Sequence, residues 1–433
     1  MGAVTTLPLA RKLVVVICEC REKSKRLHDT GISNALEFAQ LLKSFVLSET
    51  ATELSCSTKL LQTDVVDEGA LALFMQAVYQ GTQRPLLVLA DMGIQHSSIF
   101  DGIPSLTSLW IGCQVSVDLH SSLIHRSAAT LQSLEVSLND ANLLLCNADG
   151  AHIVYPNLHH LSISHCTRAD TSNDVMGRPL EFVPFPALKR LTVNHVYPFD
   201  DDVVFRGNNA TLKHLKFSVS VSTVKMLNRC KVFRDSRDGV LRKVTMTECR
   251  ETPDIGSVAK ADIDMLLDDV LGTALSIVLS ASIVHSASIA SLHGRRRLEN
   301  VGVLEVRTGK VSLFTVLSLL RALPRLIRIS CCISGLGAEL DHIPAGDLAN
   351  HVVSEYGNAA RGLREWTMGY SNLGDVDKTP QYVLLLALVS PIFFCQKVAK
   401  NPGSKLSEAI SAAIGTKPYT KHASRLREQL LPK

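Results

Sequence analysis

The sequence lacks the short phrases that identify common enzyme classes. It contains no G-x-x-x-x-G-K-[ST] phosphate loop, no H-E-x-x-H zinc-protease helix and no G-x-S-x-G nucleophile elbow. P-loop NTPases, zinc proteases and α/β-hydrolases therefore receive no support from motifs. We predict that the protein is not an enzyme and uses no cofactor, and an enzyme stays the alternative from another functional class.

Aromatic residues and an excess of charge of one sign are also scarce. Aromatic residues are 5% of the 433 residues, and 45 Lys and Arg face 41 Asp and Glu, a formal net charge of +4. So balanced a charge does not by itself indicate nucleic acid. Aromatic side chains that could stack on bases do not interleave with the basic ones, apart from Trp110. We predict a core of leucine, valine and isoleucine, and no nucleic-acid partner.

The eleven cysteines do not form the C-x-x-C pairs of a zinc site. They are typical of small buried thiols in a reducing compartment. The N-terminus has no basic flank followed by the long apolar core of a secretory signal. We therefore expect a cytoplasmic protein, with the nucleus as the alternative. Residues 1–6 formally match the myristoylation pattern, and the sequence does not decide whether Gly2 is acylated.

One phrase, L-x-x-L-x-L with apolar substitutes, recurs along the chain. We number its residues from the first leucine, so that apolar residues occupy positions one, four and six. Six central copies, 24 to 30 residues apart, begin at Leu106, Leu131, Leu158, Leu188, Leu212 and Leu241. Divergent copies begin at Ala10, Ala51, Leu86, Val301, Leu326 and Leu363. Period and phrase match the leucine-rich-repeat signature, in which each repeat packs on its neighbours.

The repeats predict the fold class and the domains. We predict an α/β fold, an irregular leucine-rich-repeat solenoid with parallel strands on the concave face and helices on the convex face. The solenoid covers residues 1–378, with divergent N-terminal repeats, and residues 379–433 form a C-terminal helical cap. Apolar spacing predicts helices at 34–48, 67–80, 259–271, 313–323 and 347–360. The polar insertion at 168–182 is expected to be a surface loop.

Residues 270–292 contain no Asp, Glu, Lys or Arg. A stretch of this length could span a bilayer. Its many serines weaken the apolar drive, so a membrane segment is the less favoured interpretation. We favour a buried strand near Leu275–Ser280 that is followed by a helix of the repeat.

Several histidines invite a metal hypothesis, which the repeat register opposes. His160 and His214 occupy equivalent positions two repeats apart, so their backbones would be separated by roughly 10 Å, twice the spacing of neighbouring strands. That is long for two ligands of one tetrahedral ion. Residues 200–202, three consecutive aspartates, are better explained as a solvated loop tip. We predict no metal site.

Strand alternation predicts a polar surface on the sheet. If positions four and six point into the core, positions three, five and seven point outward. We predict that a partner-binding site on this face comprises Trp110, Glu135, His160, Arg190, Thr192, His214, Lys216 and Lys243. Ser162 and Ser218 fall on the same face. Arg190, Lys216 and Lys243 are expected to lie close together and to form a groove for an acidic or phosphorylated peptide. The alternative is a solvated sheet with ordinary charge.

Two phrases carry a resemblance to a known family. Phe185-Pro186-Ala187-Leu188 and Tyr155-Pro156-Asn157-Leu158, each followed by a strand-like run, resemble the repeats of fungal F-box/leucine-rich-repeat proteins. The resemblance covers roughly residues 10–370. It implies that the repeats hold a substrate protein, while an F-box recruits a ubiquitin ligase through a Skp1-type adaptor. This sequence departs from the pattern, because the apolar run at 14–17 after Leu7 and Pro8 favours a strand over an F-box helix.

These observations lead to one functional prediction with alternatives. We predict a non-catalytic scaffold that binds a protein partner through its sheet. It is either a substrate-recognition subunit of an SCF-type ubiquitin ligase or a stand-alone leucine-rich-repeat binding protein. The sequence does not identify the partner.

Overall fold

The structure is a computed structural model of the full chain. It describes residues 12–18, 37, 40, 53–59, 76, 88–90, 105–111, 123–137, 142–147, 149–164, 183–194, 211–219, 223–224, 227, 241–248, 258, 260–286, 300–357, 359 and 362–369. The chain divides into two compact units, an N-terminal unit, Met1–Leu212, and a C-terminal unit, Lys213–Lys433.

The N-terminal unit is built on a parallel sheet. Its described strands are β1 Lys12–Cys18, β2 Glu53–Lys59, β3 Val88–Ala90, β4 Ser108–Ile111, β5 Ser133–Ser137, β6 His160–Ser164 and β7 Arg190–Asn194. They pair in chain order, each parallel to the next. Parallel neighbours need a connection that returns the chain to the starting edge. Residues 123–127 and the short helix α1, Asn142–Leu145, supply helical segments of two such connections.

The C-terminal unit repeats this architecture. Its described strands are β8 His214–Val219, β9 Leu241–Glu248, β10 Ala274–Ser280, β11 Val303–Arg307, β12 Val311–Ser312, β13 Arg328–Gly335 and β14 Glu365–Gly369. The strands β8, β9, β10, β11, β13 and β14 are parallel neighbours in that order. Strand β12 pairs with the carboxyl half of β13. The described part of the chain is therefore α/β with open parallel sheets.

The predicted helices of the C-terminal unit are observed with small shifts at their ends. The observed helices are α2 Lys260–Thr273, α3 Ala281–Ser286, α4 Leu313–Ala322, α5 Ala338–Asp341 and α6 Ala345–Tyr356. The prediction that a helix extends to residue 360 is wrong. Helix α6 ends at Tyr356, and the N–H of Gly357 donates to the carbonyl of Val353 at 2.9 Å. Glycine is a common residue at helix ends because it loses the most conformational freedom inside a helix.

The apolar positions of the repeat form the core of each unit. In the N-terminal unit Leu134, Leu161 and Leu191 are at most 1% exposed and lie opposite one another on β5, β6 and β7. Strand β10 takes its position numbers from the register, which places Ala274 opposite Leu241 at position one. The C-terminal unit then has an equivalent buried row at position four, formed by Leu215, Val244, Ile277, Leu304 and Ile329. The prediction that positions four and six point inward is confirmed at these strands, because Ile163 and Phe217 at position six are also buried.

A repeated backbone hydrogen bond aligns the strands where they begin. In the N-terminal unit the carbonyl of Gln132 at position two accepts the N–H groups of His159 and His160, at 2.9 and 3.0 Å. In the C-terminal unit the carbonyl of Gly302 accepts those of Ile327 and Arg328, at 2.7 and 3.0 Å. The same backbone groups are paired in the same way, so position two of one repeat aligns with position two of the next.

A proline turn precedes several strands. The N–H of position one returns to the carbonyl three residues earlier, from Leu158 to Tyr155, from Leu188 to Phe185 and from Leu326 to Leu323. Each turn has proline second, where its fixed φ suits a β-turn. Its first residue is buried in all three. Tyr155 and Phe185 stack with ring centroids 5.4 Å apart, and the Tyr155 hydroxyl donates to the Leu144 carbonyl at 2.9 Å.

The uncharged stretch at 270–292 contains the predicted strand and helix. Strand β10, Ala274–Ser280, lies between β9 and β11, and α3 follows it directly. The favoured interpretation is therefore confirmed for residues 274–286. Within the described residues, no helix combines the length and the apolar character that crossing a membrane requires.

Some predicted elements lie outside the described residues. These are most of the helices at 34–48 and 67–80, the insertion at 168–182 and the C-terminal cap at 379–433. Residues 37, 40 and 76 are described, and all three are helical. The cap and the domain boundary at residue 378 stay predictions.

Candidate functional site on the sheet face

The sheet of the N-terminal unit exposes an aromatic and an acidic side chain at position five. Trp110 on β4 lies opposite Glu135 on β5, and 44% of the Trp110 surface is exposed. Glu135 is exposed as well. Thr192 lies in the same row on β7 and is half-buried. This row exposes one large apolar side chain and one acidic side chain.

Position three of the same sheet is occupied by hydroxyl, imidazole and guanidinium groups. The register places Ser133, His160 and Arg190 opposite one another on β5, β6 and β7. The Ser133 hydroxyl and His160 Nδ1 are 3.3 Å apart, within hydrogen-bond distance. Burial lowers the pKa of His160, and the neighbouring Arg190 cation lowers it further. The lowered pKa favours the neutral imidazole of His160, so in this row the permanent positive charge is that of Arg190.

Replacing Arg190 by glutamine is expected to raise the pKa of His160. The substitution removes a nearby positive charge that disfavours the protonated imidazole, so the imidazolium becomes easier to form. The measurement is an NMR titration of the His160 ring. Replacing the exposed Lys189 by glutamine is the matched control, and it should move this pKa less. A larger shift from the Lys189 substitution would mean that Arg190 is not the charge that matters.

The sign of the His160 effect on stability follows from the same shift. Its pKa is lower in the folded than in the unfolded chain, where the ordinary value is about 6.5. The unfolded chain therefore binds the proton first as the pH falls. The stability that His160 contributes is present above about pH 6.5 and is lost as the pH falls through the lower folded-state pKa.

The C-terminal unit presents two lysines on neighbouring strands. Lys216 on β8 lies opposite Thr245, and Lys243 on β9 lies opposite His214. The lysines are therefore diagonal neighbours, with Cα atoms about 8 Å apart for ordinary strand geometry. Lys216 is exposed, and Lys243 and His214 are half-buried. Among the described residues, no carboxylate lies within ion-pair distance of either lysine.

Charges on the later strands of the same sheet are neutralised in pairs. The Arg328 Nε lies 2.8 Å from the Glu365 carboxylate on the neighbouring strand β14. Within β11, Arg307 makes two hydrogen bonds to Glu305, at 2.6 and 2.9 Å. These pairs leave little net charge there. Among the described residues at positions three and five of this sheet, the positive charge without a carboxylate partner lies on β8 and β9, at Lys216 and Lys243.

Two serines that were predicted to be exposed on the face are buried. Ser162 is 5% exposed and lies between the larger Glu135 and Thr192 on the flanking strands. Ser218 is 4% exposed, and its hydroxyl is 3.5 Å from that of the opposing Thr247. Strand alternation determines the face to which a side chain points, whereas the size of the side chains on the flanking strands determines how exposed it is.

The predicted site residues divide between the two units. Trp110, Glu135, His160, Arg190 and Thr192 belong to the sheet of the N-terminal unit, and His214, Lys216 and Lys243 belong to that of the C-terminal unit. Each set lies on adjacent strands of its own sheet. Within the described part of the chain, no group of three or more His, Cys, Asp and Glu side chains could hold a metal ion.

The comparisons with known proteins leave the family open. No protein-family model matches this chain, and no curated protein matches it significantly in sequence.

Proposed function

We propose that this protein is a non-catalytic scaffold of the leucine-rich-repeat type, which binds an acidic or phosphorylated segment of a partner protein on its sheet. Three features support the proposal. Each unit repeats one strand register, each buries the apolar positions of one recurring phrase, and each has mainly polar side chains at positions three and five.

The observation that carries the proposal is the pair Lys216 and Lys243. Two ammonium groups on diagonal positions repel each other, and their carboxylate partners are missing among the described residues. The same sheet pairs Arg328 with Glu365. A bound phosphate or carboxylate would relieve the repulsion and make charge-assisted hydrogen bonds with both lysines. The strands hold the backbone of both lysines in place, so no backbone ordering is needed on binding.

Reversing both charges, Lys216→Glu with Lys243→Glu, is expected to weaken binding of phosphoserine peptides at least tenfold, about 1.4 kcal/mol. The measurement compares a phosphoserine peptide array with its unphosphorylated counterpart on both proteins. A triple variant that adds Arg190→Glu extends the test to the N-terminal unit.

The matched control swaps the two residues of an ion pair on the same sheet. In Arg328→Glu with Glu365→Arg the formal charge and the ion pair are kept, so peptide binding should stay near that of the wild type. The proposal is wrong if phosphopeptides bind the Lys216 and Lys243 double variant as tightly as the wild type, or if the wild type shows no preference for phosphorylated or acidic peptides.

A ligase receptor and a stand-alone scaffold differ in their stable partners. Affinity purification from cells, followed by mass spectrometry, distinguishes them. A ligase receptor would recover a Skp1-type adaptor and a cullin reproducibly, and the recovery would survive the Lys216 and Lys243 double substitution. Their consistent absence, with other partners recovered, would favour the stand-alone scaffold.

A further inference from the structure

The residues at position two of the C-terminal sheet form a second surface, at the end where the parallel strands begin. Continuing the strand register through the unpaired residue before position three aligns five of them, in the order Arg242, Leu275, Gly302, Ile327 and Arg364. We call this set the position-two row. Backbone hydrogen bonds link its last four members, from Gly302 to Leu275 at 2.9 Å, Ile327 to Gly302 at 2.7 Å and Arg364 to Ile327 at 2.8 Å.

The middle of the row is apolar and exposed. Leu275 is 45% exposed and Ile327 is 48% exposed, although equivalent apolar residues at positions one and four are buried. Gly302 lies between them and has no side chain. A Cβ atom at Gly302 would lie 3.8 Å from Ile327 Cδ1 and 3.8 Å from the Leu275 carbonyl oxygen. The glycine therefore leaves a notch in the row, one residue wide, with the Ile327 side chain on one side and the Leu275 backbone on the other.

Both ends of the row are positively charged. Arg242 and Arg364 are exposed, and no carboxylate of the described residues pairs with either. Glu365, which follows Arg364, is held by Arg328. Each arginine lies about two strand spacings from Gly302, roughly 10 Å. The row therefore has positive charge at matched distances on either side of an apolar centre.

We propose that the position-two row docks an extended segment of a partner protein that carries one apolar side chain between two acidic ones. The apolar side chain enters the notch over Gly302, between Leu275 and Ile327. Carboxylates on either side pair with Arg242 and Arg364. In a polyproline II segment, which has three residues per turn and advances about 3.1 Å per residue, side chains three positions apart share one face. The acidic residues therefore lie about three positions before and after the apolar one.

The dimensions and the charge select this occupant over others. The notch accepts one side chain, whereas an amphipathic helix presents a row of anchors and needs a longer groove. Guanidinium groups pair with carboxylates in a fork geometry that orients the bound segment. The proposed docking does not use Lys216 or Lys243, so it can hold or fail independently of the function proposed above.

The experiment uses a displayed library of random twelve-residue peptides, selected on the full-length protein. Enriched peptides are expected to carry Leu, Ile, Met or Phe with Asp or Glu about three residues to either side. Their affinity, measured by fluorescence anisotropy with a synthetic copy, should fall at least tenfold in Gly302→Leu, which fills the notch. It should fall similarly in Arg242→Glu with Arg364→Glu, which leaves the notch open.

Two controls separate docking from misfolding. Gly302→Ala adds one methyl group at ordinary contact distance, so it should fold normally and bind more tightly than Gly302→Leu. Lys216→Glu with Lys243→Glu should leave binding of these peptides unchanged. The proposal is overturned if no peptide is enriched, if enriched peptides lack acidic flanks, or if Gly302→Leu binds them normally. A wild-type dimer that Gly302→Leu dissociates in sedimentation would assign the row to a second copy of this chain and also overturn it.

Discussion

Leu161→Ala is expected to lower the free energy of unfolding of the N-terminal unit by about 3 to 4 kcal/mol. Leu161 is fully buried, and its neighbours across β5 and β7 are Leu134 and Leu191. Close-packed neighbours on two strands cannot both collapse into the space that three missing carbon atoms leave, so a cavity remains. A loss of this size is a large fraction of the typical stability of a domain.

Urea unfolding, monitored through hydrogen exchange of the β5, β6 and β7 amides, would measure the loss of stability in the N-terminal unit. The matched control is the same substitution at Leu275, which is 45% exposed. Leu275→Ala should cost less than about 1 kcal/mol, because nearly half of the Leu275 surface already contacts water. Equal costs at the two sites would contradict the packing described for Leu161.

Gly309→Ala is expected to destabilise the C-terminal unit by about 3 kcal/mol. Gly309 lies between β11 and β12 with a φ of 139°, in a region that side chains with a Cβ rarely adopt. A Cβ there would lie 2.7 Å from the Cβ of Ala281, the first residue of α3. Both atoms belong to short side chains, so relief requires a shift of the backbone. Backbone strain and the steric contact therefore add.

A double-mutant cycle with Ala281→Gly separates the two contributions. Removing the Cβ of Ala281 relieves the contact and leaves the strain, so Gly309→Ala should cost less in that background. Gly302→Ala is the matched control for the glycine itself, because its φ is not positive and its new Cβ finds ordinary contacts. Thermal unfolding of the four proteins of the cycle gives the coupling. No coupling would mean that the contact contributes nothing.

Strand alternation predicted which face each side chain occupies but not how exposed it is. Lys216 is exposed as expected, whereas Val278, also at position five of its strand, is 2% exposed. Val278 lies between Thr245 and Glu305 on the flanking strands. Exposure on a parallel sheet depends on the size of cross-strand neighbours, and these come from repeats about 30 residues away in sequence.

Cross-strand neighbours also decide which charges of the candidate site are neutralised. Strand alternation places Arg307, Arg328 and Glu365 on the outward face together with Lys216 and Lys243. The register decided that Arg328 meets Glu365, whereas Lys243 meets His214. The sequence does not show which residue lies opposite a given position on the neighbouring strand, because the connections between repeats vary in length. The lysine pair could therefore be distinguished from its neutralised neighbours only by pairing the strands.

The position-two row had no signal in the repeat phrase, which assigns that position to any residue. From the sequence alone, Leu275 and Ile327 are ordinary apolar residues of two strands that are expected to be buried. Their exposure and the absence of a side chain at Gly302 between them emerge when β10, β11 and β13 are placed side by side.

The sequence by itself determined the period, the positions of most described strands and the residues that form the core. Those follow from local chain geometry and from the removal of apolar side chains from water, which act on every repeat alike. Tertiary structure decided which outward side chains are buried, which charges are neutralised and where apolar surface stays exposed. Each of these depends on contacts between residues of different repeats, and such contacts exist only after the strands have paired in one register.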